Sequence, residues 1–167
     1  MRKAVWSGVA TAAAVLMMSS VAFAQAASDT KTVTVTANVN AKAKLTLGSN
    51  AAAFADADPD VTPLLSATAI SIDIKARTSA AGNVTLTVQS GGDLVSGSDS
   101  IAINQLTWTV TGTNFAAGTM SKTAAVSVGS WAGSGTPSGT QTYKLANSWS
   151  YNTGSYTATI TYTLSAP

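Results

Sequence analysis

The chain has 167 residues, of which 10% are charged and 46% hydrophobic, and it contains neither His nor Cys. Without His there is no ordinary imidazole base, no Ser-His-Asp or Cys-His catalytic arrangement and no typical zinc site. The acidic residues are seven Asp with no Glu, and the sequence has no Walker loop, dinucleotide fingerprint or nucleophile elbow. These features favour a protein that is not an enzyme and that uses no disulfide.

The first two dozen residues have the features of a secretory signal peptide. Arg2 and Lys3 form a positive start, an apolar stretch follows, and Ala22-Phe23-Ala24 has small residues at the two positions that a signal peptidase requires. The apolar stretch is too short for a transmembrane helix. We therefore expect residues 1–24 to be removed, leaving 25–167 as a single domain without a membrane span, secreted to the periplasm, the cell surface or the medium.

Cleavage would also change the charge of the protein. Arg2 and Lys3 would be lost, so seven basic residues would balance seven acidic ones at a net charge of about zero. The remaining cations are spread along the sequence: Lys31, Lys42, Lys44, Lys75, Arg77, Lys122 and Lys144. Nucleic-acid binding needs a clustered basic surface, so no nucleic-acid partner is expected.

A long polar–apolar alternation begins shortly after the expected cleavage site. From Thr32 to Leu47 every even position is Thr, Asn or Lys and every odd position is Val, Ala or Leu. Such a strand would span on the order of 50 Å, whereas an ordinary strand has about five or six residues. The pattern predicts a strand over 32–47 that either bends between two sheets or reaches beyond its own domain.

Further alternating runs predict strands at 70–75, 84–88, 106–110 and 156–164, in which Ile, Val, Leu, Trp or Tyr alternates with polar residues, mostly Thr. A strand over 143–151 is also expected. Turn-forming sequences separate these runs: Ala80-Ala81-Gly82-Asn83, Ser90-Gly91-Gly92-Asp93, a loop over 130–139, and a hairpin turn at Asn152-Thr153-Gly154-Ser155. The pattern predicts an all-β, antiparallel immunoglobulin-like sandwich of about seven to nine strands, with a closed barrel as the alternative.

The tryptophans differ in their sequence surroundings. Trp108 shares its strand parity with Leu106 and Val110 and is expected in the core; Trp149 is expected there too. Trp131 lies among Gly and Ser residues. We expect it either to plug one end of the sandwich from a loop or to be an exposed contact for a partner or glycan.

One acidic cluster, formed by Asp56, Asp58 and Asp60, is a candidate calcium site, because alternating carboxylates are ligands that Ca²⁺ prefers. The cluster lacks the Gly and the bidentate Glu of an EF-hand loop, and Pro59 interrupts it. The alternative is a solvated loop between Pro59 and Pro63. No other metal or cofactor is expected.

Two resemblances concern the ends of the chain. The long first strand, together with the closing sequence Gly154-Ser155-Tyr156-Thr157-Ala158-Thr159-Ile160-Thr161-Tyr162-Thr163-Leu164, resembles spore-coat-U-like pilin subunits assembled by chaperone and usher. That resemblance implies an incomplete immunoglobulin fold that is completed by an extended segment of the next subunit. The stretch Leu106-Thr107-Trp108-Thr109-Val110 and the ending Tyr162-Thr163-Leu164-Ser165-Ala166-Pro167 also look like Trp-x-Leu cell-surface domains, which bind the cell wall.

The sequence thus favours an extracellular structural or adhesive subunit of a pilus-like or other surface structure. Its expected partners are further copies or related surface subunits. We call residues 25–39 the N-terminal segment. Its backbone would add a strand to a sheet of a partner while its apolar side chains fill a groove. These apolar side chains are Val33, Val35, Ala37 and Val39. The competing function is a non-catalytic module for cell-wall polysaccharide, with Trp131 as the contact residue.

Overall fold

The part of the chain that the computed structural model describes, residues 27–167, is all-β with antiparallel strand pairing, consistent with a β-sandwich. The predicted signal peptide lies outside it. The helical content of residues 27–167 is a single 3-10 turn at Ile103–Gln105. The strands are β1 (Lys42–Leu47), β2 (Leu64–Ser66), β3 (Ile70–Arg77), β4 (Asn83–Ser90), β5 (Leu94–Ser96), β6 (Asp99–Ile101), β7 (Leu106–Thr111), β8 (Gly118–Thr119), β9 (Val126–Ala132), β10 (Ser138–Ala146) and β11 (Ile160–Ser165).

The strands form two main sheets and one small hairpin. The first sheet runs β1-β3-β10-β7-β8, with β2 also paired to β10; the second runs β11-β4-β9; β5 and β6 pair with each other. The runs predicted at 70–75, 84–88 and 106–110 are β3, β4 and β7. The number of strands exceeds the predicted seven to nine because β2, β5, β6 and β8 have only two or three residues each.

The predicted hairpin at Asn152–Ser155 is wrong. β10 ends at Ala146, short of the predicted 151, and β11 begins only at Ile160. Residues 147–159 cross between the sheets, because β11 pairs with β4 and not with β10. The inward side chains explain this choice, since Tyr162 and Leu164 face the apolar residues of β4 across the ladder.

The loop predicted over 130–139 is also shorter than expected. β9 continues to Ala132 and β10 starts at Ser138, so only 133–137 connect them. Gly133 has a φ of 70°, a left-handed conformation that glycine adopts without steric cost. The alternation Val126-Ser127-Val128 gives this region strand character despite its Gly and Ser content.

The hydrophobic core lies between the two main sheets. The inward side chains of β4 and β3 are almost fully buried: Val84, Leu86, Val88, Ile72 and Ile74. Trp108 is 2% exposed and meets Tyr143 edge to face, with ring centroids 6.5 Å apart, as the strand parity predicted. Trp149 is 70% exposed; its predicted core position is wrong because β10 ends before it.

The N-terminal strand is shorter than the alternation predicts. β1 begins at Lys42, so residues 32–41 are not part of a strand. The reason is the length of the neighbouring strand: Lys42 pairs with Arg77, where β3 ends. A strand needs a hydrogen-bonding neighbour, and β3 offers none beyond that point. Residues 38–167 form one compact unit, and the stretch before Asn38 belongs to a second.

Candidate functional site

Two edge strands, β1 of the first sheet and β11 of the second, lie close to each other along one side of the sandwich. We call β1 and β11 together the open seam. No backbone hydrogen bond joins the two strands in the part of the chain that the structure describes. Each strand therefore presents one unpaired edge, which is a template for pairing with another strand.

The core is incompletely covered along the open seam. Leu45 and Leu47 of β1 and the inward residues of β11 are only partly buried, although they pack against the core: Ile160, Tyr162 and Leu164. By contrast, Leu86, which pairs directly with Leu164, is 0% exposed. The seam thus combines unpaired backbone with apolar side chains that remain partly in water.

A polar network inside the core attaches β11 to the first sheet. The hydroxyl of Tyr162 donates to Oε1 of Gln141 at 2.8 Å and lies 2.7 Å from the hydroxyl of Tyr143. Gln141 is 0% exposed, and its Nε2 has no hydrogen-bond partner within residues 27–167. Burial, reinforced by the neighbouring Tyr162, raises the pKa of Tyr143, and burial also raises the pKa of Tyr162. The hydroxyl of Tyr162 thus attaches β11 to Tyr143 and Gln141 of the first sheet.

Sequence reasoning missed this network. Gln141 has the same strand parity as Tyr143 and Leu145, so a polar residue at an inward position was the available signal. A buried amide needs partners, and Tyr162 from the other sheet supplies one. The pairing could not be read from the sequence because the two residues meet only across the sandwich.

The side chains of the predicted partner-binding row of the N-terminal segment are largely exposed. Val33, Val35 and Val39 are 86%, 87% and 66% exposed, and Ala37 is exposed as well. Exposed large apolar side chains at every second position are unusual in water-soluble surfaces. The residues keep the spacing of a strand face although they belong to no strand.

Trp131 does not occupy the predicted loop. It belongs to β9, is partly buried, and donates its indole N–H to the carbonyl of Thr113 at 3.0 Å. Its ring packs edge to face on Phe115, with centroids 4.9 Å apart. It lies over Gly129, where a Cβ would meet the ring. These contacts hold Trp131 in its own sandwich, away from the open seam.

The three carboxylates of the candidate calcium site do not form a metal-binding group: residues 27–167 contain no set of three acidic side chains placed to hold an ion. Asp58 accepts a hydrogen bond from the backbone N–H of Asp60 at 2.9 Å, and Asp60 accepts one from the indole of Trp149 at 3.1 Å. The loop is tied to β10 through Asn147, which donates to the carbonyl of Ala57 at 2.9 Å. The carboxylate of Asp58 thus stabilises the turn, and that of Asp60 binds the side chain of Trp149.

Four cations that are scattered in the sequence come together in the structure. The register of β1 and β3 places Lys42 opposite Arg77 and Lys44 opposite Lys75, and all four are exposed. We call these residues the basic ribbon. Their scatter along the sequence did not indicate this cluster, because antiparallel pairing brings together strands that are separated in the sequence.

The chain matches no protein-family model and no curated protein. None of the helical structure in residues 27–167 is long and apolar enough to cross a membrane. The function must therefore be argued from the seam, the N-terminal segment and the ribbon themselves.

Proposed function

We propose that this protein is a secreted, non-enzymatic surface subunit that assembles by β-strand addition, with the N-terminal segment of one copy pairing along the open seam of the next. The observation that carries the proposal is the coexistence of these two features in one chain. The segment has the sequence pattern of a strand, and residues 32–41 have no partner strand within residues 27–167. The seam has an unpaired edge and partly covered apolar side chains.

The spacing of the side chains on the two elements is compatible. Residues on one face of a strand recur every second position, about 6.6 Å apart. Val33, Val35 and Ala37 follow this spacing, as do the inward residues Ile160, Tyr162 and Leu164 of β11. A segment laid along β11 would set the two rows side by side. Main-chain hydrogen bonds would supply adhesion and the apolar row would fix the register.

The energetics favour covering both elements. Burying one exposed Val side chain contributes about 1.5 kcal/mol or more, and three large valines stand exposed in the segment. An unpaired edge next to partly exposed apolar residues promotes uncontrolled association. When the N-terminal segment of another copy occupies the open seam, the edge is paired. Association is then limited to one ordered contact.

In this proposal the sandwich is immunoglobulin-like and receives its additional strand from a neighbour, as in the pilin subunits that the sequence resembles. Secretion depends on the predicted signal peptide over 1–24. The fold needs no disulfide after export, since the chain has no Cys. The result is a fibre or layer at the cell surface built from one small repeating subunit.

The first prediction tests the donated segment by changing the charge on one of its faces. Val35→Asp should abolish assembly, because assembly would bury this side chain. Burial of a carboxylate that is not neutralised costs several kcal/mol of binding free energy. Thr34→Asp is the matched control: it adds the same charge to the opposite face, which stays in water, and it should still assemble. Sedimentation velocity and negative-stain imaging of the purified mature proteins measure the outcome.

Deletion of residues 25–39 distinguishes assembly from folding. The shortened protein should remain a folded monomer by circular dichroism, and an added peptide comprising residues 27–41 should bind to it. If the wild-type protein stays monomeric at high concentration and the peptide does not bind, the proposal is wrong. Equal loss of assembly in Val35→Asp and Thr34→Asp would also contradict it, since face selectivity would be absent.

A further inference from the structure

The basic ribbon forms a compact patch on the outer face of the first sheet. Residues paired directly across two strands lie about 5 Å apart on the same face, and residues two apart on one strand lie about 6.6 Å apart. Lys42, Arg77, Lys44 and Lys75 therefore occupy the corners of a small rectangle. A shallow groove runs along it and is also lined by Thr136.

The ribbon has little internal compensation for its charge. Within residues 27–167, the ion pairs join Lys31 to Asp29 and Lys122 to Asp93, and neither involves the ribbon. The same face of β3 carries one carboxylate, Asp73, opposite Thr46. Like charges directly opposite each other destabilise a strand pair. Repulsion among the four cations thus lowers the stability of the β1–β3 pair in the isolated molecule, and binding of an anionic partner would relieve that repulsion.

Hydroxyl groups extend from the ribbon across the sheet. Ser138 pairs with Asp73, and Thr140 pairs with Ser71 on the same outer face. The hydroxyl of Thr140 lies 2.8 Å from that of Thr111 on the next strand. Such a surface offers hydrogen-bond donors and acceptors to a ligand that is itself rich in hydroxyls.

The surroundings of the ribbon disfavour single-stranded nucleic acid and membrane surfaces as partners. The large apolar side chains that are most exposed in residues 27–167 all lie outside β1 and β3: Val33, Val35, Val39, Val61, Leu64, Val95 and Trp149. Single-stranded nucleic acid is held by aromatic stacking in addition to charge. Membrane surfaces are held by apolar anchors in addition to charge. The ribbon has neither.

We infer that the basic ribbon binds a linear polysaccharide whose sugars carry carboxylates. The lysines and the arginine meet the carboxylates in charge-assisted hydrogen bonds, and the neighbouring Ser and Thr hydroxyls meet the sugar hydroxyls. This activity goes beyond assembly and does not depend on it. The ribbon uses the outer face of β1, whereas the open seam uses its free edge and inner face, so both surfaces can be occupied in one subunit.

The test measures binding of the full-length mature protein to polygalacturonate by calorimetry at several salt concentrations. The double variant Lys44→Gln/Lys75→Gln should lose affinity on the order of tenfold to a hundredfold at ~0.1 M salt. The slope of the logarithm of the binding constant against the logarithm of the salt concentration should become shallower by roughly 0.7 per cation removed. Lys122→Gln/Lys144→Gln is the matched control, with the same loss of charge elsewhere, and should bind like the wild type. The denaturation midpoint of the ribbon variant should be unchanged or higher, because repulsion is removed.

Four results would overturn the inference. The first is equal loss of binding in the two double variants, and the second is equal binding of the wild type to the neutral polysaccharide pullulan. The third is tighter ribbon-dependent binding to a single-stranded oligonucleotide, which would assign the ribbon to nucleic acid. The fourth is self-association of the protein alone that the ribbon variant abolishes, which would assign the ribbon to a second copy.

Discussion

The strand edges are paired on one side of this sandwich and unpaired on the other. Opposite the open seam, residues 113–119 connect the sheets: β8 pairs with β7, while Ala116 donates its N–H to the carbonyl of Val128 on β9 at 2.8 Å. Trp108 donates its indole N–H to the carbonyl of Ala116 at 2.9 Å and so fixes this segment from the core. We call residues 113–119 with β9 the closed seam.

The difference lies in which residues cover the two seams. The closed seam uses residues 113–119 to bond to both β7 and β9 and to pack Phe115 against Trp131, so the edges of these two strands are paired by the chain itself. The open seam has apolar residues on β1 and β11 that remain partly exposed, and no segment within residues 38–167 pairs with the free edges of these two strands. The unpaired edges of β1 and β11 and their partly buried apolar residues thus lie on one side of the sandwich, which is the side that the proposed assembly would use.

The largest expected effect is at the closed seam. Trp108→Ala should lower the free energy of unfolding by about 3–5 kcal/mol, because it leaves a cavity in the core and removes the anchor of residues 113–119. Trp149→Ala, at an exposed tryptophan, should change it by less than about 0.5 kcal/mol. Urea denaturation followed by circular dichroism measures both. Similar losses in the two variants would contradict the assignment of core and surface.

The next prediction compares two leucines that are paired across the ladder of β4 and β11. Leu86→Ala should cost about 2–5 kcal/mol in the monomer, whereas Leu164→Ala should cost distinctly less, since its side chain is already partly in water. Denaturation of the monomeric Val35→Asp protein carrying either change gives the values. In assembling protein, Leu164→Ala should weaken assembly. Equal costs in the monomer would show that the open seam is as well covered as the interior.

A smaller effect is expected from the polar network beneath β11. Tyr162→Phe removes the hydrogen bond to Gln141 and leaves a buried amide without partners, which should cost about 1–3 kcal/mol. The matched control is Tyr156→Phe, whose hydroxyl donates to the carbonyl of Asn152 in an exposed loop. Chemical denaturation measures both. A cost for Tyr162→Phe no larger than for the control would mean that the network does not stabilise the seam strand.

The same phenols predict a pH dependence. Burial raises the pKa of Tyr143 and of Tyr162, so the unfolded chain releases their protons near the ordinary tyrosine pKa of about 10 while the folded chain retains them. Stability should therefore be fully present below about pH 10 and fall as the pH rises above it. Thermal unfolding of the wild type and of Tyr143→Phe/Tyr162→Phe between pH 8 and about pH 11 tests this, and the variant should show the weaker fall. Parallel curves would contradict the prediction.

How far the sequence could be read depended on the range of the interactions involved. The alternation at 70–75 predicted β3 because the period of two follows from the geometry of a single extended chain. The same reasoning placed Trp108 correctly. It failed for Trp149, because the end of β10 is set by its neighbours, and for Trp131, because strand pairing with β4 overrides the local Gly and Ser content.

The sequence by itself determined the strand character of the chain and which side chains face inward within β3, β4 and β7, since both depend on local backbone geometry and on the removal of apolar surface from water. Tertiary structure alone decided that β11 joins β4, that Gln141 meets Tyr162, and that four cations form the basic ribbon. These features arise from contacts between residues far apart in the chain, whose geometry exists only after the sheets have paired and packed. For the same reason, the end of β3 at Arg77 decides where the long alternation stops being a strand and becomes a free segment.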